Sequence, residues 1–412
     1  MLPSIDDQIR ILSRRCERIL SEEDLRKKLS RSYATGRPLR IKLGMDPTAP
    51  DVTLGHAVPL SVVRQFQEWG HKAVIIIGDY TARVGDPTGR NVTRKLLTGE
   101  EIDANARTYV AQVGKILLTD PEHLEIRYNG EWLGKMGLVD IIKLAARKSV
   151  AQILTREDFA KRYAEGIDIR LHEILYPLLQ GWDSVMIDAD VELGGSDQLF
   201  NNLVGREFQK EEKPDDLLAG QVVIVTPLLV GTDGVKKMSK SLKNYVGVTD
   251  APSGNDSMFG KIMSLPDALM ESYYTLVTDV PPEQFKLQIA ASPRDAKVSL
   301  ARYVVAKLHT TEAADAAVAE WDRVHAQKGA VPDNVPETAI EPGEHRMAAL
   351  LVKSGLAASN GEATRKIKEG AVYLDGEKFM DFQKPLAVTS PTVIKLGKRF
   401  ARLVPVQSAS AG

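Results

Sequence analysis

A lysine-rich segment in the second half of the 412-residue chain is suited to chemistry on phosphates. It follows an apolar run that ends at Val230 and consists of Lys236, Lys237, Met238, Ser239, Lys240 and Ser241. Lysines on a flexible loop beyond a strand end can swing onto a triphosphate and neutralise the charge that builds up as pyrophosphate leaves. Contacts made only at that moment raise the rate. A solvated loop would have the same composition, so the segment alone leaves that alternative open.

A second candidate spans residues 44–56, between an apolar run and a helical pattern. In an open parallel sheet, ligands bind beyond the carboxyl ends of the strands, and a helix N-terminus offers free N–H groups to a phosphate. Gly55 would allow the backbone to approach a ligand, and His56 could donate to a phosphate or ribose oxygen. Pro59 predicts that the helix begins close to His56. A capping turn with a satisfied histidine is the alternative.

Three polar side chains recur at helical spacing further along the chain. Tyr176, Gln180 and Asp183 stand at i, i+4 and i+7, which places them in one stripe of a helix. A phenol, an amide and a carboxylate suit a pocket that recognises a small polar molecule, with solvent exposure as the alternative. Residues 194–198 then form a glycine loop in which Asp197 could hold ribose hydroxyls.

Short apolar strands that alternate with helical segments predict a parallel α/β sheet as the scaffold for these residues. The predicted strands lie at residues 39–43, 73–77, 124–128, 185–192 and 221–230. A helix capped by Ser4, with apolar positions up to Ile19, is predicted before them. The mostly helical stretch between Gly99 and Gly181 is predicted to be an insertion between two halves of one sheet.

Composition and charge restrict the class of protein. The chain is 43 % apolar and 26 % charged, as in ordinary soluble proteins, and its longest apolar runs are far below the roughly 20 residues of a membrane span. Its one cysteine, Cys16, permits no internal disulfide and fits the cytoplasm, and the N-terminus lacks the pattern of a secretory signal.

The charge is distributed unevenly along the chain. Residues 345–412 carry 11 basic against 5 acidic side chains, whereas residues 1–344 carry 43 against 50. A small basic module on an acidic body indicates binding to nucleic acid, with a solvated basic face as the alternative.

Taken together, these segments resemble the bacterial tyrosyl-tRNA synthetases along essentially the whole chain. Residues 53–56 are similar to the first signature of class I synthetases, and residues 237–241 match the second signature in every letter. Residues 85–89, the helix with Tyr176, and residues 194–198 are similar to the tyrosine-pocket segments of that family. Residues 345–406 resemble the small RNA-binding domain first described in ribosomal protein S-four.

The resemblance implies a role for individual residues. For catalysis it implies Thr48, His56, Lys237 and Lys240. For binding of tyrosine it implies Asp86, Tyr176, Gln180, Asp183 and Gln198. For ATP it implies Asp46, Gly55, His56, Gly195, Asp197, Lys237, Met238 and Lys240. For RNA it implies Arg365, Lys366 and Lys368, and it implies no resident metal site.

The resemblance implies activation of L-tyrosine with ATP to tyrosyl-adenylate, followed by transfer of the tyrosyl group to the 3′ end of tRNA(Tyr). It also implies Mg²⁺ as cofactor and a homodimer that does not contact a membrane. The fold implied is α/β. A Rossmann-like parallel-sheet catalytic domain is expected at residues 1–230, with a helical insertion at about 115–180. A helical anticodon-side domain that includes the signature loop (231–335) and a small α+β RNA-binding domain (343–408) are expected to follow.

Three residues depart from the family pattern. Thr53 stands in place of the first signature histidine, Lys42 in place of a frequent tyrosine, and Glu192 in place of a frequent glutamine. These changes affect the expected recognition of phosphate and of the phenolic hydroxyl. The alternatives are a tryptophanyl-tRNA synthetase, a small nucleotidyltransferase, which would be much shorter, and a non-catalytic RNA-binding protein on a synthetase scaffold.

Overall fold

The computed structural model describes residues 2–47, 50–86, 98–254, 256–326, 331–332, 335–341, 343–397 and 399–406. The chain forms two compact units. The first comprises Met1–Thr249 and Glu271–Pro282, and the second comprises Asp250–Met270 and Glu283–Gly412. The division into three domains made from the sequence stays a prediction.

The first unit is built on a six-stranded sheet with the strand order β1-β6-β5-β2-β3-β4. Its strands are β1 (Arg18–Leu20), β2 (Arg40–Met45), β3 (Lys72–Ile77), β4 (Leu124–Tyr128), β5 (Val191–Gly195) and β6 (Val222–Thr226). All neighbours pair in parallel except β1, which runs antiparallel to β6. The central strands are mostly apolar because helices cover both faces of the sheet, and Lys42 of β2 and Glu192 of β5 are buried exceptions.

Helices connect these strands and pack on the sheet. They are α1 (Ile5–Ser13), α2 (Glu22–Thr35), α3 (Leu54–Glu68), α4 (Thr81–Val84), α5 (Gly99–Val113), α6 (Gly130–Leu133), α7 (Leu138–Ala145), α8 (Val150–Ile153), α9 (Glu157–Ala164), α10 (Leu171–Met186) and α11 (Leu199–Glu212). Helices α10 and α11 pack closely, since a Cβ on Gly181 would lie 2.8 Å from Val204 Cγ1.

Two sequence predictions for this unit were wrong in their bounds. The predicted helix after Ser4 does begin there, with the Ser4 hydroxyl accepting from Asp7 N–H at 3.1 Å, but it ends at Ser13, and Ile19 lies in β1. Of the strand predicted at 185–192, residues 185–186 end α10, residues 187–190 lie in neither a helix nor a strand, and only Val191 and Glu192 lie in β5. Ile187 is buried in the core that α10 covers, and Asp188 at φ 54° turns the chain before β5 begins at Val191.

The other predicted strands are present with small shifts. Strand β4 has the predicted bounds, and β2 and β3 each begin or end within two residues of them. Strand β6 ends at Thr226 because Pro227 has no N–H to donate to a neighbouring strand. Helix α3 begins at Leu54, so Pro59 lies in its second turn rather than at its start.

The second unit contains a helical part and an α+β part. Its helical part has α12 (Met258–Met263), α14 (Pro282–Ala291), α15 (Pro293–Leu308) and α16 (Thr311–Ala326), and the chain makes α13 (Met270–Val277) between the first two. The α+β part has β7 (Glu337–Ile340), β8 (Glu344–Arg346), α17 (Met347–Lys353), α18 (Asn360–Lys368), β9 (Val372–Leu374), β10 (Glu377–Lys378), β11 (Pro385–Ala387), β12 (Thr392–Leu396) and β13 (Arg399–Pro405). Five of these strands form a sheet in the order β10-β9-β12-β13-β7.

This α+β part has a hydrophobic core of its own, which includes Met347, Leu351, Ile367, Val372 and Leu403. A separate core is typical of a module that packs by itself. Across the ranges that the structure describes, no helix is both long and apolar enough to cross a membrane.

Candidate active site

A cavity of about 700 Å³ opens at the carboxyl ends of β2, β3, β5 and β6. Both signature segments and the polar stripe of α10 face it. Among the residues that line it are Asp46, Gly55, His56, Asp86, Tyr176, Gln180, Asp183, Gly195, Asp197, Gln198, Lys237, Met238 and Lys240. Thr48 and residues 87–89 lie outside the described residues.

The first signature orients one histidine toward this cavity. His56 Nδ1 accepts the N–H of Thr53 at 3.2 Å and lies 2.8 Å from the Thr53 hydroxyl oxygen. An imidazole whose Nδ1 is an acceptor carries its proton on Nε2, which leaves that N–H as the donor. Burial, and then the positive charge of Lys240, lower the pKa of His56 to about 4, so the ring is neutral at pH 7. Thr53 is 2 % exposed, lines the cavity, and its contacts with Nδ1 fix the orientation of the His56 ring.

The second signature contacts the first. A Cβ on Gly55 would lie 3.7 Å from Met238 Cβ. Lys240 Nζ donates to the Tyr109 hydroxyl at 3.0 Å and to the Asp51 carbonyl, and it lies 5.3 Å from the centre of the Tyr109 ring. Lys237 is more exposed, at 42 %, and its ammonium lies 2.9 Å from Asp197 Oδ2.

A buried asparagine holds the lysine loop in shape. Asn244 is 3 % exposed, its Oδ1 accepts Ser239 N–H at 2.8 Å, and its amide donates to Lys237 O at 3.2 Å and to Asp233 Oδ2 at 2.8 Å. The sequence alone did not point to Asn244. Its position three residues after Ser241 was the available signal, since a side-chain amide can satisfy both a donor and an acceptor of a loop backbone.

The polar stripe of α10 forms the opposite end of the cavity. Tyr176 is 5 % exposed and donates its hydroxyl to Asp46 Oδ2 at 2.9 Å. Thr81 donates to the other oxygen of Asp46 at 2.8 Å. Burial raises the pKa of Asp46 to about 7, and the nearby Asp86 adds to that rise while both hydrogen bonds oppose it. The structure therefore places Asp46 beside the predicted tyrosine-binding residues.

Asp183 is held rigidly at this end. It is 3 % exposed, and its two oxygens accept Trp132 Nε1–H at 2.8 Å and the Asn129 amide at 3.2 Å. Burial raises its pKa to about 6, which the positive charge of Lys42 opposes. A desolvated carboxylate with two fixed donors is suited to accept one further hydrogen bond from a ligand hydroxyl.

Side-chain hydrogen bonds connect Gln180 to further amide groups and to a carboxylate. Asn201 donates to Gln180 Oε1 and to Gln198 Oε1, both at 3.0 Å. Gln198 in turn donates to Asp86 Oδ2 at 2.8 Å. Arg156 approaches the other oxygen of Asp86 at 3.5 Å, and its side chain is 4 % exposed. These contacts bring Gln180, Gln198 and Asp86 into one hydrogen-bonded network.

Several residues of this site follow strand ends that the sequence did predict. Asn129 comes directly after β4, and Gly78 comes directly after β3. A Cβ on Gly78 would lie 1.9 Å from Asp46 Oδ1, so the close approach of that carboxylate requires glycine. The rule that ligands bind beyond strand ends could have identified both residues. No sequence signal pointed to Tyr109 in α5.

The predicted RNA-binding residues lie on α18 in the second unit. Arg365 is exposed, and both it and Lys366 approach Glu369, at 3.7 Å and 2.7 Å. Lys368 Nζ lies 4.5 Å from the centre of the Phe382 ring. The three cations therefore lie on one short helix, next to an acidic and an aromatic neighbour.

Two family models match the chain. One, described as class I tRNA synthetases (W and Y), matches residues 34–326, and one described as the tyrosine–tRNA ligase SYY-like C-terminal domain matches residues 327–400. Matches of this extent, together with the two signatures at one cavity, define a class I tRNA synthetase of the tryptophan and tyrosine group.

Two curated relatives refine this class. A tyrosine–tRNA ligase of Moorella thermoacetica is 50 % identical over 96 % of this chain and 95 % of its own length. One of Deinococcus radiodurans is 48 % identical over 97 % of each chain. The chain therefore belongs to the tyrosine–tRNA ligase family. Neither the tryptophanyl nor the non-catalytic alternative is supported by these relatives.

Solved structures agree on the fold. A C-terminally truncated mitochondrial tyrosyl-tRNA synthetase of Aspergillus nidulans matches with a TM-score of 0.64 and 23 % identity, covering 78 % of this chain and 94 % of its own. A tyrosyl-tRNA synthetase of Archaeoglobus fulgidus, complexed with L-tyrosine, matches with a TM-score of 0.60 and 23 % identity, covering 76 % of this chain and all of its own. At this identity the likenesses establish the fold alone.

Proposed function

We propose that this protein joins L-tyrosine to ATP as tyrosyl-adenylate, with release of pyrophosphate, and then transfers the tyrosyl group to the 3′ end of tRNA(Tyr). The observation that carries this proposal is the single cavity lined at one end by His56, Lys237 and Lys240 and at the other by Tyr176 and Asp183. The two reactants would lie side by side in it, which turns a two-body reaction into one within a complex.

The amino-acid end is proposed to bind the tyrosine side chain and its ammonium group. Asp183 and Gln180 would surround the phenolic hydroxyl, with Asp183 as the acceptor. Tyr176, Asp86 and Gln198 would hold the ammonium group, whose positive charge matches the acidic character of that end. Asp46, which the resemblance assigns to ATP, lies against Tyr176 and would add to the same negative field.

The nucleotide end is proposed to bind ATP. Neutral His56 would donate from Nε2 to a phosphate oxygen, and Asp197 would accept from ribose hydroxyls beside Gly195. A Cβ on Gly195 would lie 2.7 Å from Leu228 Cδ2 and 2.8 Å from Asp197 Oδ1, so a side chain there would displace Asp197. Lys237 and Lys240 would neutralise the departing pyrophosphate, and Gly55 with Met238 would border the nucleotide. Thr48 is proposed for the same phosphates on the resemblance alone.

The chemistry needs no protein nucleophile. The attacking carboxylate of tyrosine has a reference pKa of about 3.5, so it is ionised at neutral pH and requires no general base. Positioning and charge stabilisation are then the tasks of the protein. In the described ranges, no group of three or more His, Cys, Asp or Glu residues could hold a metal ion. We propose that Mg²⁺ binds the phosphate oxygens of ATP and arrives with that substrate, because it prefers hard oxygen ligands.

Amino-acid-dependent exchange between ATP and pyrophosphate tests this proposal. The purified protein is expected to catalyse exchange with tyrosine and to show none above background with tryptophan. Exchange that depends on tryptophan, or no exchange with tyrosine, would contradict it. Cell fractionation would test the proposed cytoplasmic location, which the single cysteine, Cys16, supports.

The C-terminal α+β part is proposed to bind tRNA(Tyr), because the second family model covers it and the segment is basic. Replacing Arg365 and Lys368 by alanine should raise the KM for tRNA in aminoacylation and flatten its salt dependence, since each removes a phosphate contact. Tyrosine-dependent exchange should stay unchanged. An unaltered KM for tRNA and an unaltered salt slope would exclude these residues.

A homodimer is proposed from the family and from an exposed apolar surface on α7 and α8. Leu138, Val139, Ile142 and Val150 are 76 %, 62 %, 58 % and 58 % exposed. Monomeric proteins rarely leave such neighbouring apolar side chains in water. Ile142→Asp should shift the protein to monomers in analytical ultracentrifugation, whereas the exposed Leu217→Asp should not. A monomeric unaltered protein would exclude the dimer.

A further inference from the structure

A buried ion pair lies beneath the amino-acid end of the cavity, at two positions where the sequence departs from the family pattern. Lys42 of β2 and Glu192 of β5 are directly paired residues in the parallel sheet. Lys42 Nζ lies 2.8 Å from Glu192 Oε1, and the two side chains are 0 % and 1 % exposed. Burying two charges this completely costs more than their attraction returns unless all their hydrogen-bonding groups are also satisfied.

The surrounding residues satisfy this requirement. Besides Glu192, the Lys42 ammonium donates to the Gln180 carbonyl at 3.0 Å and to Ser184 Oγ at 2.7 Å, which uses its three protons. The Ser184 hydroxyl donates to Glu192 Oε2 at 3.1 Å, and the Gln221 amide donates to the same oxygen. The pair is thereby attached to helix α10, which carries the polar stripe.

The attachment acts on both residues that are proposed to meet the phenolic hydroxyl. Lys42 fixes the main chain of Gln180 directly through its carbonyl. Asp183 directly precedes Ser184 in the chain, and the charges of Lys42 and Glu192 both affect the pKa of Asp183. Burial raises the pKa of Asp183, the Lys42 ammonium opposes that rise, and Glu192 adds to it. Neither Lys42 nor Glu192 itself lines the cavity.

We propose that Lys42 and Glu192 are specificity-determining positioning residues, which hold Gln180 and Asp183 in the geometry that distinguishes tyrosine from phenylalanine. The inference rests on the proposed activation of tyrosine. A hydrogen bond from the phenolic hydroxyl gains most when its acceptor is fixed before binding. A phenylalanine ring then leaves that buried acceptor unpaired.

A second buried pair in the same unit provides the matched control. Lys28 Nζ lies 3.2 Å from Asp190 Oδ1, with side chains 1 % and 13 % exposed, and neither residue lines the cavity or contacts α10 by a hydrogen bond in the described structure. A role in stability alone would make the two pairs equivalent. Neutralising both members of a buried pair preserves folding better than removing one, because no charge is left unpaired.

The experiment compares Lys42→Met/Glu192→Gln with Lys28→Met/Asp190→Asn in ATP–pyrophosphate exchange. For the first variant we expect the KM for tyrosine to rise about tenfold, with a smaller change in kcat, and the ratio of kcat/KM for tyrosine over phenylalanine to fall about tenfold. For the second variant we expect both quantities to stay within about twofold, even where its melting temperature falls.

Ser184→Ala provides a second test if Lys42→Met/Glu192→Gln does not fold. It removes only the hydroxyl that joins Lys42 to Glu192, and we expect the tyrosine KM to rise about threefold. A wild-type KM and an unchanged tyrosine-to-phenylalanine ratio in the variants that fold would show a purely structural pair and overturn the inference. Absence of tyrosine-dependent exchange in the unaltered protein would instead contradict the proposed function.

Discussion

The two ends of the cavity are held in place by different kinds of contact. At the amino-acid end, Tyr176 and Asp183 are buried and bonded to groups of the protein that no substrate would displace. At the nucleotide end, Lys237 is half exposed, and Lys240 rests on Tyr109 and on a carbonyl oxygen that a polyphosphate could replace. Selection of an amino acid benefits from acceptors fixed in advance, whereas acceleration benefits from contacts completed only in the transition state.

The largest effect is expected at the nucleotide end. Lys240→Ala should reduce tyrosine-dependent exchange by about 10²–10³-fold, because it removes a charge that stabilises the departing pyrophosphate. The KM for tyrosine and the melting temperature should change little, since Lys240 is half-buried on a loop. Lys243→Ala, on the same loop and outside the cavity, is the control. Near-normal exchange by the Lys240 variant would remove the distinction between the two ends.

A smaller and different effect is expected at the amino-acid end. Asp183→Asn should lower kcat/KM for tyrosine by about 10–100-fold while leaving that for phenylalanine nearly unchanged, because only tyrosine loses a charged hydrogen-bond partner. Exchange kinetics with both amino acids measure this. If both values fell equally, Asp183 would be needed for the shape of the pocket rather than for the hydroxyl.

The smallest effect concerns the charge state of His56. Its folded pKa of about 4 lies below the unfolded value of about 6.5, so its contribution to stability is present above pH 6.5 and is lost as the pH falls toward 4. His56→Gln should therefore flatten the decline in the free energy of unfolding over that range by about 3 kcal/mol, as urea titrations would measure. Asp46 and Asp183, whose pKa values are raised, contribute in the opposite direction in both proteins, so the difference isolates His56. An identical pH dependence would contradict the neutral imidazole.

The sequence predicted the sheet and the cavity well because both depend on short local patterns. Apolar runs predicted β3 and β4 to within one residue. Because ligands bind beyond the carboxyl ends of parallel strands, the sequence also predicted that residues 53–56 and 237–241 lie at one edge of the sheet, and both segments line the cavity there. The strand predicted at 185–192 failed because apolar residues at the end of a buried helix resemble those of a buried strand.

Contacts between distant residues could not be predicted in this way. The pairing of Lys42 with Glu192 depends on the register of two strands that are far apart in the chain, and the contact of Tyr109 with Lys240 depends on how α5 packs. In the sequence, Lys42 and Glu192 are visible only as departures from the family pattern. In the structure, Lys42 and Glu192 lie together and form an ion pair.

The pairing of β13 with β7 bears on how the C-terminal module can be isolated. Residues Arg402–Pro405 pair in parallel with Glu337–Ile340, which precede the boundary predicted at residue 343. A fragment that starts at 343 would leave one side of β13 with unsatisfied main-chain donors and acceptors, a template for self-association. The complementary fragment, which would end before residue 343, would retain β7 without its partner strand β13. Dissection of the two activities is therefore best attempted with a cut before Glu337.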